Sequence, residues 1–278
     1  MRPQIGYKAR RARASLIRTV LIVVVCLACA FPLAWMLISA FKSKLDVADP
    51  AKALLFSPTL ENFGNVLSGG SFLPAFGNSL VTAVGSTALA LVIGLPAAYA
   101  IARFGMKRVG VILLLVRMLP GICYLVPWYM IFTQVGLVGG FIPLIISHLL
   151  IALPMVVWIM IGFFESSSVE LEEAAQVDGL TRLGAFIHIV IPLARGGIVT
   201  AGLLAFIFSW NQLLFSLILG GSRTKTLPVA LFDFISYASI DWGGLMAAAT
   251  LMTLPIILIS IFVQKHVVAG LSAGATKG

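Results

Sequence analysis

Six apolar segments, each long enough to cross a membrane as a helix, constrain the fold of this chain more than any other feature. They cover residues 16–41, 78–102, 109–132, 141–164, 198–219 and 244–263. A spanning helix needs about 20 apolar residues to cross roughly 30 Å of hydrocarbon. Charged residues make up 10% of the chain, whereas a soluble domain carries about 25%. The sequence therefore predicts an all-α bundle of six transmembrane helices with lipid on its outer surface.

The distribution of lysine and arginine predicts the orientation of this bundle. If the N-terminus lies in the cytoplasm, most basic residues fall in cytoplasmic stretches, and the outer side holds Lys42, Lys44, Lys52, Arg223 and Lys225. An excess of lysine and arginine marks cytoplasmic loops. We therefore expect both termini and the loop at residues 165–197 to be cytoplasmic. The net charge of +9 does not indicate a nucleic-acid partner, because the basic residues lie between apolar runs rather than on one face.

The N-terminal segment admits a second interpretation, a cleavable signal peptide. A basic start, an apolar run and Ala28-Cys29-Ala30 fit such a peptide. The apolar run continues to residue 41, however, and exceeds the roughly 7–15 residues of a typical signal-peptide core. This length favours a retained span, with cleavage as the alternative.

The sequence gives no candidate catalytic or metal-binding residues. Cys26, Cys29 and Cys123 lie within apolar segments, where we interpret them as small apolar residues. No nucleophile–base pair, metal-ligand spacing or phosphate-binding GxxxxGK loop is present. The six segments contain no aspartate or glutamate, which disfavours an ion-coupled secondary transporter. An intramembrane enzyme is disfavoured by the lack of a polar catalytic cluster. Any ATP that drives this protein must bind to another chain.

Half of the acidic residues fall in one short stretch after the fourth segment, between residues 165 and 178. Ser167 and Glu170 have the spacing of a capping box, which predicts the start of a short helix. Gly179 follows as a left-handed C-terminal residue. A second helix is predicted from about Thr181 to Pro192, with Phe186 and Ile189 on one face. Such a helix–turn–helix fits either a solvated connector or a surface that docks into a partner.

The same stretch resembles a family signature. Glu173-Ala174-Ala175, three residues, Gly179, nine residues and Ile189-Val190-Ile191-Pro192 are similar to the EAA motif of ABC importer permeases, with Ile191 in place of the usual leucine. In that family the motif forms a coupling helix, which sits in a cleft of a separate ATP-binding subunit. The resemblance implies ATPase-coupling roles for Glu173, Ala174, Ala175, Asp178, Gly179, Ile189 and Pro192.

The rest of the chain resembles the carbohydrate-importing, maltose-type branch and the smaller of its two permease subunits. The matching stretches are residues 58–63, 78–80, 97–100, 210–211, 227–231 and 270–278. One departure is Gly196-Gly197, where the family commonly has Pro-Gly. The resemblance implies a type I importer fold with a basic N-terminus at residues 1–15, a six-span domain at 16–264 and a cytoplasmic tail at 265–278.

The resemblance also implies partners and a location. A second permease subunit would complete a heterodimer, a dimer of ATP-binding subunits would bind ATP and Mg²⁺, and an external solute-binding protein would deliver the solute. No cofactor is expected on this chain. The expected location is the bacterial cytoplasmic membrane, with the multi-pass chain in contact with lipid.

Polar residues within the spans are the candidates for a substrate pathway. Arg117 is predicted near mid-depth, where it either lines the pathway or forms a structural pair. Trp210 and Asn211 either contact a sugar or join helices. His148 is expected to be satisfied within the bundle. The resemblance implies a neutral sugar or polyol as substrate, and the alternative is another small solute such as glycerol phosphate or an amino acid.

Overall fold

The computed structural model describes residues 4–236 and 239–275, with side chains for 15–236 and 239–263. These residues form helices and turns and no β-sheet, as the all-α prediction expected. The helices are α1 (Gln4–Ala40), α2 (Lys44–Ala48), α3 (Glu61–Ser68), α4 (Phe72–Arg103), α5 (Lys107–Arg117), α6 (Gly121–Gln134), α7 (Phe141–Ser166), α8 (Glu170–Val177), α9 (Arg182–Ala185), α10 (Ile191–Leu193), α11 (Arg195–Trp210), α12 (Leu214–Leu219), α13 (Leu227–Ala230) and α14 (Trp242–Ala275). A π-helical turn, Phe186–Val190, connects α9 to α10.

Four helices are long and apolar enough to cross a membrane by themselves, and they match the first, second, fourth and sixth predicted spans. Their apolar stretches are Ser15–Ala40, Phe72–Arg103, Phe141–Ser166 and Trp242–Val263. Two bent pairs of helices also qualify if each pair counts as one span. The described residues therefore hold four candidate spans, or up to six.

The third predicted span, residues 109–132, is not one straight helix. It consists of α5 and α6, which are bent by 87° at residues 118–120. Pro120 has the extended backbone values φ −57° and ψ 139°, so the chain leaves the helical conformation there. Arg117 is consequently the last residue of α5, beside the break, and does not lie within a continuous helix.

The fifth predicted span, residues 198–219, is also interrupted. Helix α11 ends at Trp210, and α12 begins at Leu214. The amide side chains in the gap hydrogen-bond to backbone groups there: Asn211 Nδ2 donates to Ile207 O at 2.9 Å, and Gln212 Oε1 accepts from Leu214 N at 3.2 Å. At its other end α11 meets residues 182–193 at 78°, because the chain bends at Ala194.

The chain forms two compact units. The larger unit comprises the described residues of Gly70–Asp233 and Met252–Gly278, and α4, α7 and α11 pack at its centre. Small residues at their contacts allow the backbones to approach closely; they are Ala90, Gly94, Ala98, Ala152, Ala201 and Ala205. Gly197 lies against Phe163, and a Cβ at Gly197 would be 2.5 Å from the ring.

The centre of the larger unit also contains a polar chain. His148 Nδ1 lies 2.7 Å from Ser209 Oγ, and its Nε2 lies 3.3 Å from Ser216 Oγ. The hydroxyl of Ser86 donates to Ser209 Oγ at 2.9 Å. Both ring nitrogens of the buried His148 thus have partners, which confirms the prediction that the bundle satisfies this residue.

The smaller unit comprises the described residues of Met1–Gly69 and Phe234–Leu251. The side chain of Asn62 stabilises the turn after α1, because its Nδ2 donates to Ala40 O at 2.9 Å and to Lys42 O at 2.7 Å. The buried ammonium of Lys42 donates to Ala53 O at 2.8 Å. A hydrogen bond from Lys52 lowers the pKa of Asp46 below its usual value, and Ser43 contributes in the same direction.

Candidate functional site

The predicted helix–turn–helix after the fourth span is present, but its first helix begins differently. Helix α8 starts after Val169, and no side chain caps its N-terminus. The capping box predicted from Ser167 and Glu170 is therefore wrong. Ser167 instead ends α7, and its hydroxyl accepts a hydrogen bond from Arg103 Nη2 at 2.9 Å. The hydroxyl of Ser167 thus bonds to Arg103 at the end of α4 and does not cap α8.

The turn after α8 matches the prediction in detail. Gly179 has φ +98°, in the left-handed region. The Leu180 N–H donates to Ala175 O at 3.0 Å, and the Gly179 N–H donates to Gln176 O at 3.1 Å. This pair of bonds is a Schellman motif. Thr181 then caps α9, its hydroxyl accepting from Gly184 N at 3.1 Å.

The second helix presents a slightly different apolar face from the one predicted. Phe186 is buried as expected, but Ile189 is half-buried and Val190 is fully buried instead. The cause is the π-helical turn, in which the Ile191 N–H donates to Phe186 O, five residues earlier. Pro192 does not end the helix, because it lies in the first turn of α10, where its missing N–H costs no bond.

One side of α8 carries an exposed stripe with helical spacing. Its members, Glu170, Glu173, Ala174 and Val177, are all exposed, and Val177 is 87% exposed. Glu172 and Ala175 lie on the opposite side and are buried. Of the predicted coupling residues, Glu173, Ala174, Asp178 and Gly179 therefore face outward, whereas Ala175 packs inward.

A buried polar group behind α8 was missed by the sequence analysis. Glu172 forms an ion pair with Arg103 and accepts a hydrogen bond from Tyr99. The sequence contained two signals: Tyr99 and Arg103 are four residues apart, on one face of α4, and the loop holds adjacent acids. Nothing in the sequence indicated that one of these acids points inward.

The predicted pathway residues lie in different environments. Arg117 lines an open cavity of about 200 Å³ together with Tyr124, Leu150, Ile151 and Phe208. Its guanidinium lies 5.2 Å from the centroid of the Phe208 ring, a cation–π contact. Among the described residues no carboxylate forms an ion pair with Arg117.

Trp210 and Asn211 do not line this cavity. Trp210 is buried, stacks on Phe206 and donates from Nε1 to Met252 O at 3.1 Å, so it joins two helices. Asn211 is exposed at the end of α11. Its neighbour Gln212 lines a small adjoining pocket with His148 and Ser209. In the described ranges no three metal-ligating side chains cluster.

A comparison with family models identifies the class of protein. Residues 90–273 match the model of the binding-protein-dependent transport system inner membrane component. This chain belongs to that permease family. The matched range of the permease includes the central helices α7 and α11, the cavity and the whole predicted coupling stretch, residues 165–197.

Several relatives of the permease align over almost its whole length. It is 35% identical to the trehalose transport system permease protein SugB of Mycobacterium tuberculosis, over 89% of this chain and 92% of that protein. It is 32% identical to the diacetylchitobiose uptake system permease protein DasC of Streptomyces coelicolor, over 92% and 95%. It is 31% identical to the trehalose/maltose transport system permease protein MalG of Thermococcus litoralis, over 95% and 96%.

The fold of the permease is similar to that of a solved structure. A bacterial ABC transporter chain involved in the import of the acidic polysaccharide alginate matches with a TM-score of 0.79. The match covers 92% of this chain and 97% of that chain at 21% identity. The two chains thus share the permease fold.

Proposed function

We propose that this permease imports a neutral sugar or polyol and is driven by a separate ATP-binding subunit docked on α8. The observation that carries the coupling role is the exposed stripe of Glu170, Glu173, Ala174 and Val177 on a helix that ends in a fixed Schellman turn. In a solvated connector the side chain of Val177, at the end of this stripe, would stay in water. A groove on a partner would bury this side chain.

The importer would contain further chains. The permease pairs with a second permease subunit as a heterodimer, two ATP-binding subunits carry ATP and Mg²⁺, and an external solute-binding protein delivers the solute. The pattern of exposed apolar residues leaves faces for lipid and for a second permease subunit, since most of α1 is exposed along its apolar length. The C-terminal tail at residues 265–278 would reach toward the ATP-binding subunits, and its side chains lie outside the described ones.

The substrate class is supported by the relatives and by the cavity. Two of the relatives are permeases for trehalose and for trehalose/maltose, and a third takes up diacetylchitobiose. The cavity lining includes the aromatic ring of Phe208, the guanidinium of Arg117 and the hydroxyl of Tyr124, which donates to Val116 O and can still accept a hydrogen bond, and it includes no carboxylate. Sugars are bound by such aromatic and hydrogen-bonding groups, with no need for a fixed counter-charge.

Uptake measurements test this assignment. Cells with and without the permease gene are compared for uptake of radiolabelled trehalose, maltose, glycerol phosphate and an amino acid mixture. We expect uptake of a neutral sugar to depend on the gene. Arg117→Gln should retain at least about half of the uptake, because Arg117 contacts Phe208 and a neutral solute requires no guanidinium.

The same assay tests the alternative substrate classes. If only the uptake of glycerol phosphate or of amino acids depends on the gene, the sugar assignment is wrong. The membership of the permease family is unaffected by that result. Loss of all uptake in Arg117→Gln, with normal amounts of protein, would indicate an anionic substrate. The matched control is Lys44→Gln, which removes the same charge from an exposed external position.

Orientation is the second part of the proposal, with both termini and α8 in the cytoplasm of a bacterial cell. Single cysteines replace Leu60, Leu180 or Ser222, all exposed, in a variant without Cys26, Cys29 and Cys123. A membrane-impermeant maleimide should label positions 60 and 222 in intact cells and label position 180 only after lysis. Labelling of position 180 in intact cells reverses the orientation.

A further inference from the structure

Arg103, the last residue of α4, is joined to Glu172 in the first turn of α8. Nε of Arg103 donates to Glu172 Oε1 at 2.8 Å, and Nη2 donates to the same oxygen. The other oxygen, Oε2, accepts from the Tyr99 hydroxyl at 2.7 Å. Glu172 is 3% exposed. Both oxygens of a buried carboxylate are thus satisfied by two side chains of one helix, which is the condition for a buried charge to be tolerated.

The same guanidinium also binds the end of α7. Nη1 donates to Phe164 O at 2.6 Å, and Nη2 donates to Ser167 Oγ at 2.9 Å. The planar fork of arginine can hold several acceptors in fixed directions, which lysine cannot do. One side chain therefore fixes the ends of α4 and α7 and the start of α8 relative to one another.

Three aromatic rings pack beside this ion pair. The ring of Tyr99 lies 4.6 Å from that of Phe186 and 5.9 Å from that of Phe164, measured between centroids. Phe186 begins the π-helical turn after α9. Both helices of the coupling stretch are thus attached to α4 within one turn, through Tyr99 and Arg103.

The attachment lies on the side of α8 opposite the exposed stripe. Glu172 and Ala175 face inward, and Glu173, Ala174 and Val177 face outward. A force applied to the outward side must pass through the inward side to reach the spans. Separating the buried pair would leave two uncompensated charges, so the connection should move as a unit rather than open.

We propose that Tyr99, Arg103 and Glu172 form a joint that transmits displacement of α8 to the long helices α4 and α7. The inference rests on the proposed docking of the ATP-binding subunit on α8. The three residues are positioning residues, because none of them lines the cavity and the exposed stripe does not include them. Their role is to ensure that the spans move whenever the ATP-binding subunits close. A loosened joint would let ATP hydrolysis proceed without transport.

The experiment measures the coupling ratio, the number of ATP molecules hydrolysed per solute molecule transported, in the assembled importer in proteoliposomes. The double variant Arg103→Gln with Glu172→Gln removes both charges together, so neither is left buried and unpaired. Tyr99→Phe removes one hydrogen bond and keeps the ring. We expect the ATP-binding subunit to copurify in the wild-type amount, and the coupling ratio of the double variant to rise at least about fivefold, the lower end of typical coupling between sites. Tyr99→Phe should produce a smaller rise in the same direction.

Glu61→Gln is the control, since it removes one carboxylate from an exposed position on α3. Arg103→Lys keeps the positive charge but lacks the planar fork, so the coupling ratio of this variant should also be raised. A wild-type ratio in the double variant and in Tyr99→Phe overturns the joint, whereas a lower yield with a normal ratio assigns these residues to folding alone. Failure of the wild-type permease to bind any ATP-binding subunit refutes the proposed function instead.

Discussion

Gly179→Val is expected to abolish uptake and to leave the permease in the membrane in its usual amount. Gly179 has φ +98°, and the left-handed region costs a residue with a side chain about 1–2 kcal/mol. A Cβ there would meet no atom within 4 Å, so the effect comes from the backbone and not from a collision. Relief requires a new φ, which breaks the Schellman bonds and turns α9 away from α8. Uptake, membrane content and ATP hydrolysis stimulated by the binding protein are measured together.

Gly136→Val is the matched control for this substitution. Gly136 has φ +69°, a Cβ there would also meet no atom within 4 Å, and it lies in the turn between α6 and α7. Both variants thus carry similar strain, and the coupling role predicts that only the Gly179 variant loses stimulated hydrolysis. Gly179→Pro should act at least as strongly, because it also removes the N–H that donates to Gln176 O. Normal stimulated hydrolysis in either Gly179 variant contradicts the coupling role.

The parts of the fold that follow from local chemistry were predictable from the sequence. The left-handed turn at Gly179 and the start of the second helix near Thr181 depend on residues within a few positions, and both were found as expected. The breaks at residues 118–120 and 211–213 were missed because the spans were assigned from hydropathy, and apolar residues continue on both sides of each break. Pro120 was a visible signal, but prolines also occur inside α1, α4 and α7 without such a break. Only packing against neighbours decides between the two outcomes.

The candidate site was predictable on its outer side and not on its inner side. The motif placed Glu173 and Ala174 where a partner could reach them, and both are exposed. The partner of Glu172 is 69 residues away in the chain, at the end of another helix. Arg103 also donates to the hydroxyl of Ser167, which was predicted to cap α8. Contacts over such distances depend on how α4 and α7 pack, and helical periodicity alone does not determine that packing.

Val177→Asp is expected to release the ATP-binding subunit from the permease. Val177 is 87% exposed and ends the stripe that begins at Glu170. Burying a valine in a partner's groove contributes about 1.5–3 kcal/mol, and a carboxylate in its place would also have to lose its water. Association should weaken at least about tenfold, which corresponds to 1.4 kcal/mol. Copurification of the ATP-binding subunit with the tagged permease measures the change.

Leu45→Asp is the control, because Leu45 is 83% exposed and lies on α2, outside the coupling stretch. It introduces the same charge, so membrane insertion and general solubility effects are matched. Glu173→Lys tests the charged part of the stripe: it should weaken association less, and the loss should shrink as salt is raised, since exposed charges are screened over about 10 Å at 0.1 M salt. A Val177→Asp permease that keeps its ATP-binding subunit and its uptake shows that α8 is a solvated connector, and docking must then involve another surface.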